Sequence, residues 1–453
     1  MLLRVSKFLL HVSLFSVVIV LTTTFFPFIG GKDYFFRFAV ELSLIFFILW
    51  WAFEAEEGES LRRLKEVFSK PLFIAVSVFV LTFFLASIFA DDPRAAFWSN
   101  YERGEGGFQM LHYYAFFSLL VFLMEKKEDW RLFFKTSLIA ATMMILYGIF
   151  ANLGWADNFI SPYQSGSIPE GLWKRLVATR FQGSLGNPAY VAPYLIFSLF
   201  YTFYLWASNR SQLKVIYGAG YGILALIFFF FLIISGTRGA FLGLSVSIFF
   251  FLIYLALSHP LWRKWFAIAL AVFILGTGIL WYNRQSAFVQ SLPGGRIFDI
   301  SLSVDSAQTR LWTWGSATKG FFERPILGWG PENFTAVFDK HFDPRHFNPG
   351  KNSETWFDRA HSMYFGYLSE TGILGLASYL TIYLVFYWGF FRGKTKDSEY
   401  SAWEKALLFA LPAGYLVQGL AIFEVLPMYI NIFLFFAFSY FFLYHHSHQH
   451  KNN

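Results

Sequence analysis

Long apolar stretches alternate with short charged interruptions along nearly the whole chain. The runs at 8–29, 71–90, 217–234 and 406–423 contain no Asp, Glu, Lys or Arg. Each is close to the roughly 20 residues that an α-helix needs to cross a hydrocarbon core. Apolar and polar positions do not alternate within them, as the strands of a membrane barrel require. A helix satisfies its own backbone groups where no water is present. The pattern therefore predicts an all-α fold, a polytopic transmembrane helix bundle. Spans are expected near 8–29, 35–53, 71–90, 108–124, 132–153, 187–207, 215–234, 239–257, 264–282, 361–391, 404–423 and 426–444.

The interruptions orient these twelve spans. One set is basic: Arg4 and Lys7; Arg62, Arg63, Lys65 and Lys70; Lys126, Lys127 and Arg131; Arg210 and Lys214; Arg263 and Lys264; Arg392, Lys394 and Lys396. The short connections between them, such as 30–34, 235–238 and 424–427, hold less positive charge. Cytoplasmic loops carry the excess of Lys and Arg, so both termini are expected in the cytoplasm. The first apolar run is too long for a signal-peptide core, and it is read as a retained span. The expected organisation is transmembrane helices 1–9 over 1–282, an external loop over 283–360, helices 10–12 over 361–444, and a His-rich cytoplasmic tail over 445–453.

Composition agrees with the pattern. The 453 residues are 56% apolar and 14% charged, with 61 phenylalanines. A soluble domain carries about 25% charged residues. The absence of cysteine excludes disulfides, thiolate nucleophiles and Cys-ligated zinc together. No internal repeat is evident. No Gly-Lys-Ser/Thr follows the glycine-rich stretch from Tyr101 to Gly107, so it is no P-loop.

The segment 283–360 is too long to be a mere connection. Turn signals at Pro293-Gly294-Gly295, Gly328-Trp329-Gly330-Pro331 and Asn348-Pro349-Gly350, with a helix-compatible stretch over 306–322 behind Asp305, predict a small folded cap. It holds nine basic and eight acidic residues, a net charge of only +1. A polyanion would thus be held there by particular arginines, not by a general field.

Four places carry candidate chemistry. In Ser235-Gly236-Thr237-Arg238-Gly239, Thr237 is placed to cap the next helix, and Arg238 falls in its first turn. A helix N-terminus with an arginine makes an anion site; an arginine snorkelling to the interface would give the same pattern. Arg310 lies on the expected loop helix, as an anion ligand or as a solvated helix residue. His361 stands where the loop re-enters the membrane, as a proton acceptor or as an interfacial histidine. Arg180 precedes Asn187-Pro188, an N-cap and first-turn pair that a plain helix entry also explains. Glu370 lies nine residues beyond His361, on the opposite face of a straight helix and roughly 13 Å along it, so 370–375 is assigned to helix packing. Asp339, His341, Asp343 and His346 follow no strong metal-ligand spacing, and the His445–His450 run reads as a disordered tail.

Three elements then occur in order: Ser235-Gly236-Thr237-Arg238-Gly239; Arg310-Leu311-Trp312 followed by Pro325-Ile326-Leu327-Gly328-Trp329-Gly330; and His361-Ser362-Met363-Tyr364 followed by Glu370-Thr371-Gly372-Ile373-Leu374-Gly375. Together they resemble the O-antigen ligase family of bacterial membrane glycosyltransferases, within the wider superfamily of ligases, polymerases and protein O-oligosaccharyltransferases. The stretch from Phe181 to Pro188 is similar to that family's Gly-Asn-Pro entry loop. The resemblance implies a multi-pass protein of the bacterial inner membrane. Its donor would be a glycan on undecaprenyl pyrophosphate, and its acceptor lipid A-core, another glycan or a protein. It implies a metal-independent, inverting transfer at the outer face, with no cofactor and no nucleic-acid partner. It assigns catalysis to Arg238, Arg310 and His361. Thr237, Arg180, Asn187 and Arg103 are further candidates for contacting the pyrophosphate or substrate. Many relatives have Asn after the histidine, where this chain has Ser362. A small-anion transporter is the alternative from a different class.

Overall fold

The computed structural model describes residues 1–100, 104–154, 171–177, 179–209, 214–291, 305–347, 355–393 and 400–445. Arg103, the turns at 293–295 and 348–350, and the tail beyond His445 lie outside them. The chain is a bundle of helices, and no strand occurs among the described residues. In order these are α1 (Leu2–Ser13), α2 (Gly30–Phe53), α3 (Glu57–Phe68), α4 (Pro71–Ile88), α5 (Pro93–Trp98), α6 (Gly107–Leu123) and α7 (Lys127–Asn152). There follow α8 (Leu172–Val177), α9 (Pro188–Ala207), α10 (Lys214–Ser235), α11 (Arg238–Ser258), α12 (Arg263–Tyr282) and α13 (Ala287–Ser291). The last are α14 (Asp305–Glu323), α15 (Phe334–Lys340), α16 (Met363–Glu370), α17 (Gly372–Arg392), α18 (Ala402–Gln418) and α19 (Leu426–Tyr444).

Every expected span overlies one of these helices. Among the described residues nine are long and apolar enough to cross a membrane. The remaining three expected spans fall on shorter elements, and the first is displaced. Helix α1 begins at Leu2 and runs into a 3-10 turn, Leu14–Val18. Twelve α and five 3-10 residues rise about 28 Å, enough for a hydrocarbon core. Residues 19–29, expected inside the span, are irregular. Three consecutive threonines disfavour helix there, and Pro27 has no N–H to donate. The carbonyls left open at the end of the 3-10 turn are satisfied from elsewhere. The ammonium of Lys32 on α2 donates to Val17 and Ile19, and the hydroxyl of Ser184 donates to Val17 at 2.7 Å.

Helix α19 is the axis of the bundle: every residue from Leu426 to Phe442 is buried. Aromatic rings fill the space around it. Phe438 meets Trp130 of α7 at 5.2 Å, and on α7 and α9 Phe134 stacks on Tyr201 at 4.7 Å. Helices α11 and α18 approach so closely that a Cβ on Gly243 would lie 2.6 Å from the carbonyl oxygen of Gly414. Small residues drive such contacts in lipid, where burying apolar surface gains nothing over the solvent. Helix α12 has no buried residue and packs on α11 at the periphery.

The segment between α12 and α16 folds as a cap. Its core is Ala317, Trp329, Phe334, Val337, Phe338, Phe357 and Ala360. The expected helix over 306–322 is α14, beginning at Asp305. A strap over 325–331 ties the cap to the bundle through backbone bonds. Trp329 N donates to Ser369 O at 2.9 Å, Gly330 N to Glu370 O at 2.8 Å and Ile373 N to Pro325 O at 2.9 Å. On its other side Asp91 N donates to Trp329 O at 2.8 Å, and Arg324 pairs with Asp91 at 2.6 Å.

Candidate active site

The α10–α11 turn is built on its glycine. Gly236 sits at φ +61°, a region that favours glycine, and the chain reverses there. Thr237 occupies the N-cap position of α11, but its hydroxyl makes no capping bond. It donates instead to Pro188 O at 3.0 Å and accepts from Nη2 of Arg180 at 3.0 Å. Arg180 also donates through Nε to Ser235 O at 2.8 Å. Arg180 is therefore a strut between the α9 entry and the α10–α11 turn. Asn187 caps α9 as its spacing indicates, accepting from Ala189 N at 2.8 Å.

Arg238 begins α11 and is half-buried. Gly239 beside it lies against the α18–α19 connection: a Cβ there would sit 2.8 Å from Cβ of Ala421. The same connection holds the segment carrying His361. Met363 N lies 2.8 Å from Gly419 O and 2.9 Å from Ile422 O. The ring of His361 packs edge-on against Phe423 at 5.3 Å. Phe423 in turn packs on Tyr190 of α9 at 6.1 Å. Arg238 and His361 thus flank one short connection, 419–425.

Arg310 approaches from the cap. It lies one turn before Trp314 on the same face of α14. The indole of Trp314 donates to Ala360 O at 2.9 Å, and its ring stacks on Phe365 at 4.9 Å. These contacts hold α14 beside His361.

His361 lies outside the helix. It precedes α16 and adopts φ +51°, the left-handed region that costs a side-chain-bearing residue energy. Its Nδ1 is 3.0 Å from the carbonyl oxygen of Arg359. A carbonyl only accepts, so Nδ1 carries the proton, and in the neutral ring Nε2 has the lone pair. Phe357 and Phe423 meet the imidazole at 5.3 Å, each near a right angle.

The buried charges around this segment were not anticipated. Arg359 is paired with Glu332 and, at 3.3 Å, with Glu370. Glu370 also accepts from Glu332 N at 2.9 Å. The assignment of 370–375 to helix packing needs correcting. The expected helix over 361–391 breaks at Thr371, so the straight-helix argument does not apply. Gly372, at φ +65°, lets the chain turn there, and a Cβ on it would stand 2.3 Å from Ile326 O. Gly372 admits the 325–331 strap, not a second helix. Burial raises the Glu370 carboxyl to about 7; Arg359 opposes this, and the negative charge of Glu332 adds to it. The sequence signal was available: two carboxylates and an arginine beside apolar runs require mutual partners.

One position on, Glu424 is buried among tyrosines. It accepts from Tyr379 at 2.7 Å, Tyr415 at 2.5 Å and Tyr367. Burial raises its carboxyl, and those hydroxyls oppose the rise. They anchor the connection on which Phe423 sits.

The cap's mixed cluster is drawn to separate partners. Asp339 accepts from Trp356 at 2.9 Å, Asp343 pairs with Arg345, and His341 faces Glu323 at 3.3 Å. His346 is buried among Trp312, Phe338 and Phe357, and no group of three metal-ligating side chains occurs among the described residues.

The bundle and this site define a polytopic helical membrane protein whose buried and half-buried charges gather where α11, α16 and the 419–425 connection meet. Residues 222–380 match the family model described as O-antigen ligase. Arg238, Arg310 and His361 all fall inside the matched span; Arg180 and Asn187 lie before it. No curated protein matches the chain. The family supports a glycosyltransferase-like enzyme acting on glycan and lipid-linked substrates in a membrane.

Proposed function

We propose that the protein moves a glycan from undecaprenyl pyrophosphate to an acceptor hydroxyl at the outer face of the bacterial inner membrane. The observation that carries this reading is the placement of Arg238 and His361 on either side of the 419–425 connection, with the cap helix that bears Arg310 held beside His361 by Trp314. Arg238 comes from the bundle, Arg310 from the cap, and His361 from the segment joining them.

The roles follow from the chemistry. The acceptor oxygen attacks the anomeric carbon as the sugar–phosphate bond breaks. The bonding electrons pass to the pyrophosphate, whose charge grows. Arg238 and Arg310 hold that charge more tightly in the transition state than in the ground state, which is what accelerates the step. Two guanidinium groups supply the positive charge that a metal ion gives other phosphate-releasing enzymes. Nε2 of His361 takes the acceptor proton. A single displacement inverts the anomeric centre.

The carrier's chain has an apolar slot on the same hairpin. A cavity of about 730 Å³ lies among α9, α10, α11 and α18, lined by side chains such as Phe200, Trp206, Phe229, Phe251 and Trp403. An isoprenoid fits such a lining, where hydrophobic and aromatic side chains predominate.

The test is reconstitution with an undecaprenyl-pyrophosphate-linked oligosaccharide. Lipid A-core, donor alone, and a protein acceptor are supplied in parallel. A ligase extends only lipid A-core, a polymerase extends the donor glycan, and a protein O-oligosaccharyltransferase modifies the protein. Release of undecaprenyl pyrophosphate in none of them would refute the reading.

A further inference from the structure

The proton-accepting role given to His361 requires its ring to be held in one tautomer and one orientation. The residue is on a loop, at φ +51°, before the first turn of α16. Two of its contacts lead to Arg359. The carbonyl of Arg359 receives Nδ1 at 3.0 Å. The guanidinium of Arg359 lies 5.9 Å from the centre of the Phe423 ring, and the imidazole packs on that same ring at 5.3 Å.

Arg359 itself is fixed on both sides. Glu332 takes Nη2, and Glu370 takes Nη1 at 3.3 Å. The side chains of the three are between 2% and 11% exposed, so little water competes for these bonds. The two carboxylates come from separate elements. Glu332 directly follows the strap, at φ +66°, and Glu370 ends α16. Their relative placement is set by Glu332 N donating to Glu370 at 2.9 Å. A planar guanidinium with donors in a fixed fork suits two carboxylates at an angle, and an ammonium does not.

We propose that Arg359 is a positioning residue, clamped by Glu332 and Glu370, whose carbonyl fixes His361 as the Nδ1–H tautomer with Nε2 as the accepting atom. This rests on the function proposed above. It also gives the strap a part in the chemistry, because the strap delivers Glu332 to the clamp.

Two measurements test it on the full-length protein in nanodiscs. The first is a double-mutant cycle on transfer from the undecaprenyl-pyrophosphate-linked oligosaccharide to lipid A-core. Arg359→Lys is expected to lower kcat about 100-fold, the scale of a 1 Å misplacement, with KM for the donor unchanged. In a His361→Asn background, which keeps a residue tolerant of positive φ, the same change is expected to add nothing. An equal loss in both backgrounds overturns the proposal, because Arg359 then acts independently of His361. Glu370→Gln, an uncharged isostere, carries the same cycle if Arg359→Lys does not insert. The second measurement is solid-state ¹⁵N NMR of histidine-labelled protein, with the His361 signals found by difference from His361→Asn. The wild type is expected to show protonated Nδ1, and Arg359→Lys and Glu370→Gln a mixture of tautomers. An unchanged Nδ1–H signal in both variants overturns the proposal with or without transfer activity. Full transfer by His361→Asn would instead sink the proton-accepting role.

Discussion

Gly328→Ala is the sharpest test of how the cap is joined to the bundle. Gly328 sits at φ +69°, and a Cβ built on it lies 2.5 Å from the carbonyl carbon of Glu370 and 2.7 Å from Gly372 N. The obstructing atoms are backbone, so they cannot rotate away. The left-handed conformation alone costs alanine roughly 1–2 kcal/mol. Relieving the overlap means lifting the strap, which breaks the Trp329–Ser369 and Gly330–Glu370 backbone bonds. Each is worth about 1 kcal/mol net. The expected cost is therefore about 3 kcal/mol, large beside the roughly 5–15 kcal/mol of a folded domain. The assay is thermal unfolding of the purified protein in detergent, with limited proteolysis of the cap run alongside. Gly276→Ala on α12 is the control: nothing lies within 4 Å of a Cβ there, and alanine is the better helix former. A melting temperature for Gly328→Ala equal to that of wild type would refute the strap's role.

Other consequences can be measured directly. Arg238→Lys and Arg310→Lys keep the charge but lose the fork; each is expected to lower transfer at least 10-fold while the protein still inserts, the scale of one charge-assisted bond. Thr237→Val removes the hydroxyl joining Arg180 to Pro188 O and is expected to cost about 1 kcal/mol in the same melting assay, through loss of the part-buried bond to Pro188 O. Because the Glu370 carboxyl is raised to about 7 from an ordinary 4.5, the folded protein binds more protons than the unfolded chain between those values. Stability contributed by this group is present below about 4.5 and is lost as pH rises towards 7, a change of at most about 3 kcal/mol. Glu370→Gln should flatten that part of the melting-temperature profile, and an unchanged slope would assign it to another group.

The spans were legible because apolar runs near the membrane thickness have few other uses. The first was misplaced by its threonines and Pro27, since an apolar run continues through residues that do not continue a helix. Arg238 and His361 stand out as candidates because charged or titratable groups beside apolar runs are conspicuous. That Arg238 and His361 flank 419–425 could not be read, because that connection is almost uncharged and its role lies in backbone contacts to Gly419 and Ile422 and in the ring of Phe423. Glu370 was misread for a different reason. Angle and rise along a straight helix are valid only without a break, and Gly372 supplies one. The clamp on Arg359 joins residues 27 and 11 positions away, a distance that periodicity does not reach.

Transfer from a pyrophosphate carrier is proposed to rest on Arg238, Arg310 and His361. It is tested most directly by following undecaprenyl pyrophosphate release and acceptor glycosylation together in nanodiscs, for the wild type and for Arg238→Ala, Arg310→Ala and His361→Ala. Release and glycosylation are expected to rise in step for the wild type, and each variant is expected to lose both while remaining inserted. Undiminished release and glycosylation in all three variants would contradict it.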